Sequence, residues 1–268
     1  MKKVVLITGA SSGMGKATAE YLSGKGYRVY GTSRNPEKYD GLAFPLLKMD
    51  LTAKESVRSA VREVLTREGK IDVLINNAGR GMIGPVEESD EHDIEAIFNT
   101  NVFGLLRVTK EVLPGMHERG EGLIINISSI AGFAGLPYRG LYSSTKAAVM
   151  IISETLRFEL QGSGIRVVDI APGDFKTDIA KGRIYVPNRK NSPYYDKYEK
   201  VLKTIDDAVD KGLDSIEMAK SIDKIIRMKN PKIQYKIGPF EQKLLPLIKV
   251  LWPQKWFERL ILKLYHLK

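Results

Sequence analysis

The stretch GLYSSTKAAVM, residues 140–150, places a tyrosine and a lysine four positions apart. On a helix these positions share one face, so the ammonium of Lys146 would lie near the phenol of Tyr142. A cation beside a phenol favours the phenolate and lowers a pKa that is ordinarily about 10. Such a pair could move a proton to and from a substrate oxygen. Two ordinary helix residues would show the same spacing, so the rest of the sequence has to decide between these interpretations.

A second stretch with chemical potential is TGASSGMG, residues 8–15, which follows the apolar run VVLIT. Its glycines, Gly9, Gly13 and Gly15, permit a tight turn and a close backbone approach. A helix that begins there would present free N–H groups and a positive dipole end to a pyrophosphate. Ser11 and Ser12 are of the type that caps helices. A plain strand–turn–helix junction is the alternative, but three glycines at this place favour dinucleotide binding.

The elements that must position these residues follow from the alternation of short apolar runs with longer helical patterns. Strands are expected at 4–8, 27–32, 44–49, 71–76, 122–128, 165–171 and 232–238. Helices are expected at 13–25, 53–67, 90–111, 141–161 and 195–228. This order predicts an α/β fold, a Rossmann-type doubly wound parallel sheet with helices on both faces. The strands are apolar throughout, as expected when both sheet faces are covered.

Composition excludes several kinds of chemistry. The chain has 268 residues, enough for one large domain, and no cysteine, which removes disulfides, thiolate nucleophiles and Cys-ligated metals. The histidines, His92, His117 and His266, lack metal-site spacing, so no metal is predicted. No uncharged apolar run approaches the roughly 20 residues of a membrane span, and the first one is too short for a signal peptide. We therefore expect a cytoplasmic protein.

The positive charge is concentrated at one end of the chain. The formal net charge is +10, and residues 229–268 carry nine Lys or Arg against two acidic residues. The remainder is close to neutral, so the sequence does not predict a nucleic-acid-binding protein.

The expected domain organisation is a dinucleotide-binding and catalytic domain over 1–238, followed by a basic amphipathic extension over 239–268. Within the domain, residues 174–200 form a polar, tyrosine-rich excursion that we interpret as a lid. The extension contains two short amphipathic helices, and in the second one face carries Trp256, Phe257, Leu260, Ile261 and Leu264. This face could pack on the domain or on a second subunit. Alternatively it could anchor the protein to the cytoplasmic face of an anionic membrane.

Four later motifs, together with the glycine loop, resemble the short-chain dehydrogenase/reductase family. They are NNAG (76–79), NTNVFG (99–104), NISSIAGFAGLPYRGLYSSTK (126–146) and PGDFKT (172–177). The resemblance covers roughly residues 1–180 in the expected order. It implies hydride transfer between a nicotinamide and a carbonyl or alcohol, and it favours a catalytic role for Tyr142 and Lys146.

The resemblance also implies a role for each catalytic residue. Tyr142 would be the general acid in carbonyl reduction and the base in the reverse direction. Lys146 would lower the tyrosine pKa and hold the nicotinamide ribose. Ser129, thirteen positions before the tyrosine, would bind the substrate oxygen, whereas Ser128 would make a strand-end hydrogen bond. Asn101 would complete a water-linked proton relay to Lys146, with a purely structural hydrogen bond as the alternative.

A larger set of residues matches the cofactor-binding positions of the family. The glycine loop would bind the pyrophosphate, Asp50 the adenine, and the NNAG segment would lie beside the adenosine ribose. The PGDFKT loop would cover the nicotinamide amide. The set is Gly9, Ser11, Ser12, Gly13, Met14, Gly15, Ser33, Arg34, Asp50, Asn77, Ala78, Gly79, Tyr142, Lys146, Pro172, Gly173 and Thr177.

The end of the second strand predicts which nicotinamide is bound. NAD sites usually place Asp or Glu there to bind the ribose 2′-hydroxyl. This sequence has Ser33 followed by Arg34. A carboxylate would repel a 2′-phosphate, whereas a guanidinium can bind it bidentately. We therefore predict NADP(H), and carbonyl reduction as the working direction.

The substrate is less well defined. The segments 79–85 and 135–139 and the lid should line its pocket. The chain continues for some thirty residues after KIGPF (236–240), as in hydroxysteroid, retinol and 3-ketosphinganine reductase-type members. This favours a lipophilic ketone, with a small carbonyl or a 3-oxoacyl thioester as the alternative. A non-catalytic NADP(H)-binding sensor or a peripheral membrane protein is a further alternative.

The same resemblance predicts the assembly. A homodimer would form through the helices near 90–111 and 141–161. The long C-terminal extension puts the tetramer of shorter members in doubt without excluding it.

Overall fold

The computed structural model describes residues 2–176, 182–210 and 212–268. Nine strands are formed within these ranges. They are β1 (Val4–Ile7), β2 (Arg28–Ser33), β3 (Leu46–Lys48), β4 (Val73–Asn76), β5 (Met82–Ile83), β6 (Gly122–Ile127), β7 (Ile165–Pro172), β8 (Ile184–Tyr185) and β9 (Gln234–Ile237). Seven of them form one parallel sheet in the order β3-β2-β1-β4-β6-β7-β9, and β5 pairs with β8 in a separate two-stranded sheet.

The helices cover both faces of the large sheet. They are α1 (Gly13–Gly24), α2 (Lys54–Glu68), α3 (Glu91–Phe98), α4 (Gly104–Arg119), α5 (Gly140–Glu159), α6 (Tyr195–Asp210), α7 (Ser215–Arg227), α8 (Phe240–Leu251) and α9 (Gln254–Leu264). Apolar side chains of α2, α4 and α5 pack in one core cluster. Those of α1 and α7 pack in another, on the opposite face.

The first strand shows why the strands are apolar throughout. Val4 and Leu6 belong to the core under α2 and α4, whereas Val5 and Ile7 belong to the core under α1 and α7. Side chains alternate between the faces of a strand, so a sheet covered on both sides needs apolar residues at every position. The predicted doubly wound α/β fold is confirmed. From β1, the chain adds β2 and β3 on one side of the sheet and then returns to add β4, β6, β7 and β9 on the other side. Folds of this kind bind ligands at the carboxyl ends of the strands where the order reverses.

Two predicted helices are interrupted. The helix expected near 90–111 is α3, a π-helical turn over Asn99–Phe103, and then α4, which continues to Arg119. The helix expected over 195–228 is divided into α6 and α7, and Asp214 caps α7 by accepting a hydrogen bond from the N–H of Ile216. A π-helical turn inside a helix is frequent at functional sites, because it re-aims a side chain.

The predicted lid is attached to the domain wherever the structure describes it. β8 pairs with β5. The hydroxyl oxygen of Tyr198 lies 2.8 Å and 3.0 Å from the carbonyl oxygens of Ile83 and Val186, so its single proton can be donated to either. Tyr198 also stacks on Tyr138, with 5.3 Å between ring centroids. This segment is therefore part of the wall beside the carboxyl ends of the strands.

The C-terminal extension packs on its own domain, beginning with α8 directly after Pro239. The face predicted for α9 divides into two. Phe257 and Ile261 are buried against Ala134, whereas Trp256 and Leu264 are exposed. No helix in the described ranges is long and apolar enough to cross a membrane.

Candidate active site

The glycine loop lies at the carboxyl end of β1 and leaves no space for side chains. Gly9 has φ of +68°, and a Cβ there would come within 2.9 Å of the Ala78 Cα. A Cβ on Gly15 would collide with the carbonyl oxygen of Gly9 and the side-chain amide of Asn77. Glycine is therefore required at both positions for the turn and the start of α1 to approach β4.

Hydrogen bonds fix this loop to the end of β4. The Asn77 side-chain amide donates to the carbonyls of Thr8 and Gly9 at 3.0 Å and 3.1 Å. The Thr8 hydroxyl accepts from the backbone N–H groups of Asn77 and Ala78, both at 3.0 Å. Asn77 therefore holds two strand ends together, and Thr8 is a positioning residue that the sequence analysis did not single out.

The N-terminus of α1 fits an anionic group. Ser12 precedes the helix with extended backbone, its side chain makes no capping hydrogen bond, and the first turn carries no acidic residue. The first N–H groups and the helix dipole would favour a pyrophosphate there. Ser12 is exposed, Ser11 is half-buried, and Met14 lines the cavity described below.

Ser33 and Arg34 lie at the carboxyl end of β2, as predicted. Ser33 is buried and its hydroxyl accepts from the N–H of Asn35, whereas Arg34 is exposed. Asp50 has a pKa below its ordinary value: burial alone would raise it, but hydrogen bonds from Thr52 and the Arg34 guanidinium outweigh burial. The Arg34 guanidinium therefore lies close enough to the Asp50 carboxylate for its charge to act on it.

Tyr142 and Lys146 lie in the first turns of α5, on one face as predicted. Both are buried, at 8% and 5% exposure, and both line the same cavity. The Lys146 ammonium lies 5.9 Å from the centre of the Tyr142 ring and donates a 2.9 Å hydrogen bond to the carbonyl of Ile127. The guanidinium carbon of Arg139 lies 5.2 Å from the same ring centre. The phenol thus has two cations nearby.

The two serines after β6 differ in their partners. The Ser128 hydroxyl donates to the carbonyl of Ile170 at 3.2 Å, a bond between neighbouring strands. The Ser129 hydroxyl accepts from the N–H of Ala131 at 3.1 Å and caps the short 3₁₀ helix Ile130–Phe133. Its nearest acceptor, the carbonyl of Pro172, is 3.5 Å away. The hydroxyl of Ser129 is therefore farther from its acceptor than that of Ser128, and the predicted role of Ser129 in binding the substrate oxygen stays a prediction.

Asn101 lies in the π-helical turn, buried at 2% exposure. Its side-chain oxygen accepts from the N–H of Arg80 at 2.8 Å. Its amide donates to the carbonyl of Arg80 at 2.9 Å and to the hydroxyl of Thr145 at 3.0 Å. A Cβ on Gly79 would lie 3.3 Å from both Asn101 Oδ1 and Lys146 Nζ, so the two side chains approach the same point. The structure thus gives Asn101 a structural role, and its predicted relay role stays a prediction.

The loop after β7 is held by the C-terminal extension. The side-chain oxygen of Gln242 accepts from the N–H of Asp174 at 2.8 Å, and its amide donates to the Asp174 carboxylate at 2.5 Å. The N–H of Gly173 donates to the carbonyl of Ile237 at 2.8 Å. Pro172 and Gly173 line the cavity. Thr177, also predicted to bind the cofactor, lies outside the described residues.

Part of the set of predicted site residues lines a cavity of about 430 Å³, whereas Arg34, Asp50 and Asn101 are not among its lining residues. The predicted site residues in the lining are Met14, Asn77, Gly79, Ser129, Tyr142, Lys146, Pro172 and Gly173. The floor of the cavity carries Ser129, Tyr142 and Lys146, and its walls are mainly apolar. The apolar lining includes Met82, Ile83, Ile130, Leu136, Leu245, Ile261 and Leu264. Within the described ranges, no group of three or more His, Asp or Glu side chains could hold a metal ion.

The contribution of the extension is what the sequence analysis missed. Gln242, Leu245, Ile261, Leu264 and Tyr265 all line the cavity. The amphipathic spacing of the tail predicted that it would pack on something, but nothing in the sequence indicated where. Arg139, which was predicted near the pocket, has a half-buried side chain. Burial lowers the pKa of Arg139, but the oxygens of Tyr265, Tyr142 and Asp174 raise it above its ordinary value overall.

A parallel sheet with a glycine-lined helix N-terminus at the strand-order reversal, and a Ser, Tyr and Lys cluster beside it, is the arrangement of a dinucleotide-binding α/β oxidoreductase. The family model described as short chain dehydrogenase matches residues 3–184. The chain therefore belongs to the short-chain dehydrogenase/reductase family, whose members are oxidoreductases that use nicotinamide cofactors.

Three relatives illustrate the similarity. The chain is 42% identical over 241 residues to the 3-ketodihydrosphingosine reductase of Bacteroides thetaiotaomicron, a match that covers 90% of this chain and 89% of that protein. It is 32% identical to a short-chain dehydrogenase from Streptomyces avermitilis, whose crystal structure superimposes with a TM-score of 0.85 over 97% of each chain. ElxO, solved with NADP bound, is 30% identical, with a TM-score of 0.72 over 88% of this chain and 97% of that one.

Proposed function

We propose that this protein is an NADPH-dependent reductase that converts the ketone or aldehyde of a lipophilic substrate, such as a long-chain 3-keto lipid, to an alcohol. The observation that carries the proposal is the cavity itself. Its proton-donating groups, Tyr142 and Ser129, open into about 430 Å³ of mainly apolar space. Apolar walls with a few convergent polar groups are the usual composition of a site for an apolar small molecule.

In this proposal, side chains of the protein transfer the proton and stabilise the charges that form. Tyr142 donates it to the carbonyl oxygen as the oxygen gains charge, and Ser129 hydrogen-bonds to the same oxygen. The ammonium of Lys146, fixed by the carbonyl of Ile127, stabilises the phenolate that remains. The reduced nicotinamide, when bound, supplies the hydride for the carbonyl carbon. The apolar roof formed by Leu245 and Ile261 limits access of water to these groups.

The choice of NADP(H) is supported by the end of β2. Arg34 is exposed there, and the position that would carry an acid in an NAD site is Ser33. The N-terminus of α1 has no side-chain cap and no acidic residue in its first turn, which favours a pyrophosphate. ElxO, which has the same fold, was solved with NADP bound. A 2′-phosphate on the ribose would find a bidentate partner in the guanidinium.

The choice of a long-chain keto lipid is supported by similarity and by shape. The relative from Bacteroides thetaiotaomicron that matches along nearly the whole chain is named for reduction of 3-ketodihydrosphingosine. The match extends over 241 residues, 90% of this chain. The lining is not uniformly apolar, since it also contains Asp174, Glu241 and Arg139, which could contact the polar head of such a substrate.

The test is NADPH consumption, followed by absorbance, with four substrates that differ in chain length and head group. They are 3-ketodihydrosphingosine, a ketosteroid, acetoacetyl thioester and a small ketone. We expect turnover of a long-chain or steroid ketone, and loss of at least about a hundredfold in Tyr142→Phe with NADPH binding retained. Phe keeps the ring and removes only the proton donor.

Two results would overturn the proposal in different ways. Turnover of the thioester or the small ketone alone would favour the small-carbonyl alternative. NADPH binding without turnover of any carbonyl, unchanged in Tyr142→Phe, would favour a non-catalytic NADP(H)-binding protein.

A further inference from the structure

The C-terminal extension exposes an unusual amount of apolar surface. Half of the strongly exposed large apolar side chains among the described residues lie between residues 240 and 264. They are Phe240, Leu247, Val250, Leu251, Trp252, Trp256 and Leu264, with exposed fractions from 45% to 80%. Exposed apolar residues scattered singly are normal, but a contiguous apolar patch marks a surface for a partner or a membrane.

Helical spacing shows that these side chains form a second, outward row on each helix. In α8, Phe240, Leu247 and Leu251 share one side, while Leu245 and Ile248 pack inward against the core. In α9, Trp256 and Leu264 are exposed, while Phe257 and Ile261 are buried. Packing on the domain therefore accounts for only one apolar face of the extension. We call the exposed residues Phe240, Leu247, Leu251, Trp252, Trp256 and Leu264 the outer face.

A row of cations runs beside the outer face. Lys255, Arg259 and Lys263 recur every fourth residue of α9, and all three are exposed. Arg259 and Lys263 lie three and seven residues after Trp256, so these two cations neighbour the apolar row on the helix surface. Across residues 229–268 the basic residues outnumber the acidic ones nine to two. This charge fits a negatively charged partner.

We propose that the outer face docks on an anionic lipid bilayer, with the cationic row on the lipid phosphates and the apolar row among the upper acyl chains. An apolar row beside a basic row, with two tryptophans, is the pattern of a helix that lies in the membrane interface. Basic side chains near an anionic leaflet contribute individually to its binding. A second copy of this chain would need acidic groups to meet the cations, and the outer face offers few.

Leu264 connects this surface to the cavity. It lines the cavity and is 53% exposed, so the rim of the cavity is part of the outer face. When the protein is docked on a bilayer, this rim would contact the lipid. This part of the inference rests on the proposed function, since it matters only if the substrate is a lipid: the substrate could then enter from the bilayer without crossing water.

The chain provides its own reporter for the test. Its two tryptophans, Trp252 and Trp256, both belong to the outer face, so intrinsic tryptophan fluorescence reports on this surface alone. We would titrate the protein with vesicles of phosphatidylcholine, with and without phosphatidylglycerol, in the absence of substrate and NADPH. We expect a blue shift and co-sedimentation with the anionic vesicles, weakened by salt. Brominated acyl chains should quench the emission.

Matched charge reversals identify the surface. Lys255→Glu with Arg259→Glu should weaken binding to anionic vesicles by about tenfold or more, because two attractive charges become repulsive. Lys54→Glu with Arg62→Glu, an exposed pair on α2, should not. Equal losses in both pairs would show a general charge effect and overturn the assignment.

Two further outcomes would also overturn it. Absence of any shift with anionic vesicles would do so directly. A blue shift that grows with protein concentration, without vesicles, would identify a second copy as the occupant. Because binding is measured without turnover, vesicle binding by a protein that reduces no lipid ketone would retain the docking surface and reject the proposed function. Turnover of micellar lipid ketone without vesicle binding would reject the docking surface alone.

Discussion

The spacing of a tyrosine and a lysine acquires chemical meaning only from what surrounds it. Tyr21 and Lys25 have the same spacing as Tyr142 and Lys146, and the Lys25 ammonium lies 5.4 Å from the Tyr21 ring centre. That pair lies at the exposed end of α1. In α5 the lysine is buried and held by the carbonyl of Ile127, beside a cavity at the strand ends. The pair in α5 thus lines a cavity together with Ser129, whereas the pair in α1 does not line that cavity.

Arg34→Ala tests the cofactor assignment. A guanidinium–phosphate hydrogen bond contributes about 1.5–3 kcal/mol, so the Kd for NADPH should rise about tenfold or more. The Kd for NADH should stay unchanged, because NADH has no 2′-phosphate. Both can be measured by fluorescence of the reduced nicotinamide. Arg62→Ala, an exposed arginine on α2, is the control. An unchanged preference for NADPH would show that Arg34 does not bind the phosphate.

Gly15→Ala tests whether the glycine loop is as tightly packed as the structure indicates. The added methyl group would collide with the carbonyl of Gly9 and the amide of Asn77. We expect a loss of about 1–3 kcal/mol in the free energy of unfolding and a marked loss of NADPH affinity. Gly24→Ala, where a Cβ meets nothing within 4 Å, should stay within about 1 kcal/mol. Urea denaturation and cofactor titration give both values, and equal effects at the two positions would contradict the packing argument.

In α9, two adjacent residues should differ strongly in how much their substitution by alanine lowers the free energy of unfolding. Phe257 is buried at 8% exposure, and Trp256 is 60% exposed. Phe257→Ala removes a ring from the contact between the extension and the domain, and should cost about 3 kcal/mol in the free energy of unfolding. Trp256→Ala should change it by no more than about 0.5 kcal/mol. Urea denaturation followed by circular dichroism would measure both, and a greater loss with Trp256→Ala would mean that the helix is rotated.

The elements that escaped prediction are those whose formation depends on distant partners. β5 and β8 have two residues each, which is too short for a periodic pattern in the sequence. They pair although about a hundred residues of chain separate them. The π-helical turn has no sequence signal that distinguishes it from ordinary helix. Nothing in the sequence around Gln242 indicates that it binds Asp174, because the two residues meet only through the packing of α8 on the domain.

The fold and the cluster of catalytic candidates were predictable because they depend on local sequence patterns and on a general rule of parallel sheets. β1 and β4 are continuous apolar runs, and the glycines and Asn77 follow them directly. Parallel strands end at the same edge of a sheet, so residues that follow different strands must meet there. The wall of the cavity formed by α8 and α9 obeys no such rule, because the position of a surface helix depends on side-chain fit.

At the scale of the whole molecule, a buried carboxyl should make stability depend on pH. Asp169 is 4% exposed, accepts a 2.9 Å hydrogen bond from Gln234, and its Oδ1 has no hydrogen-bond partner among the described residues. Burial raises the pKa of Asp169, and the side chains of Ser128 and Gln234 and the charge of Lys146 offset only part of this effect. The folded protein therefore binds this proton more tightly than the unfolded chain does.

The proton on Asp169 stabilises the folded protein at low pH. The contribution to stability is complete below the carboxyl's unfolded pKa and is lost as the pH rises through the raised pKa of the folded state. Asp169→Asn removes this titration and keeps the shape. We expect the variant to gain stability relative to the parent as the pH rises from about 4 to about 8. Thermal or urea unfolding across that range would measure it, and a difference independent of pH would contradict a raised pKa.

We propose, as the sequence resemblance suggested, that two copies associate through the helices near 90–111 and 141–161. The first of these contains α3, the π-helical turn and the start of α4, and the second is α5. Phe103, Ile151 and Phe158 are exposed on this side by 51% to 68%, and Ile151 and Phe158 are seven residues apart on one face of α5. Ile151→Arg with Phe158→Arg should halve the mass measured by light scattering. Ile233→Arg, at an exposed isoleucine before β9, should leave the mass unchanged. A parent protein that is already monomeric at micromolar concentration would contradict the proposal.

The cavity is assembled from parts of the chain that carry different tasks. The residues assigned to proton transfer all lie before residue 147, whereas part of the wall that meets the substrate lies after residue 240. A change in α8 or α9 can therefore alter which molecules are admitted while the proton-transfer groups stay intact. Exchange of α8 and α9 for the matching segment of a relative would therefore test whether this extension selects the substrate of the oxidoreductase.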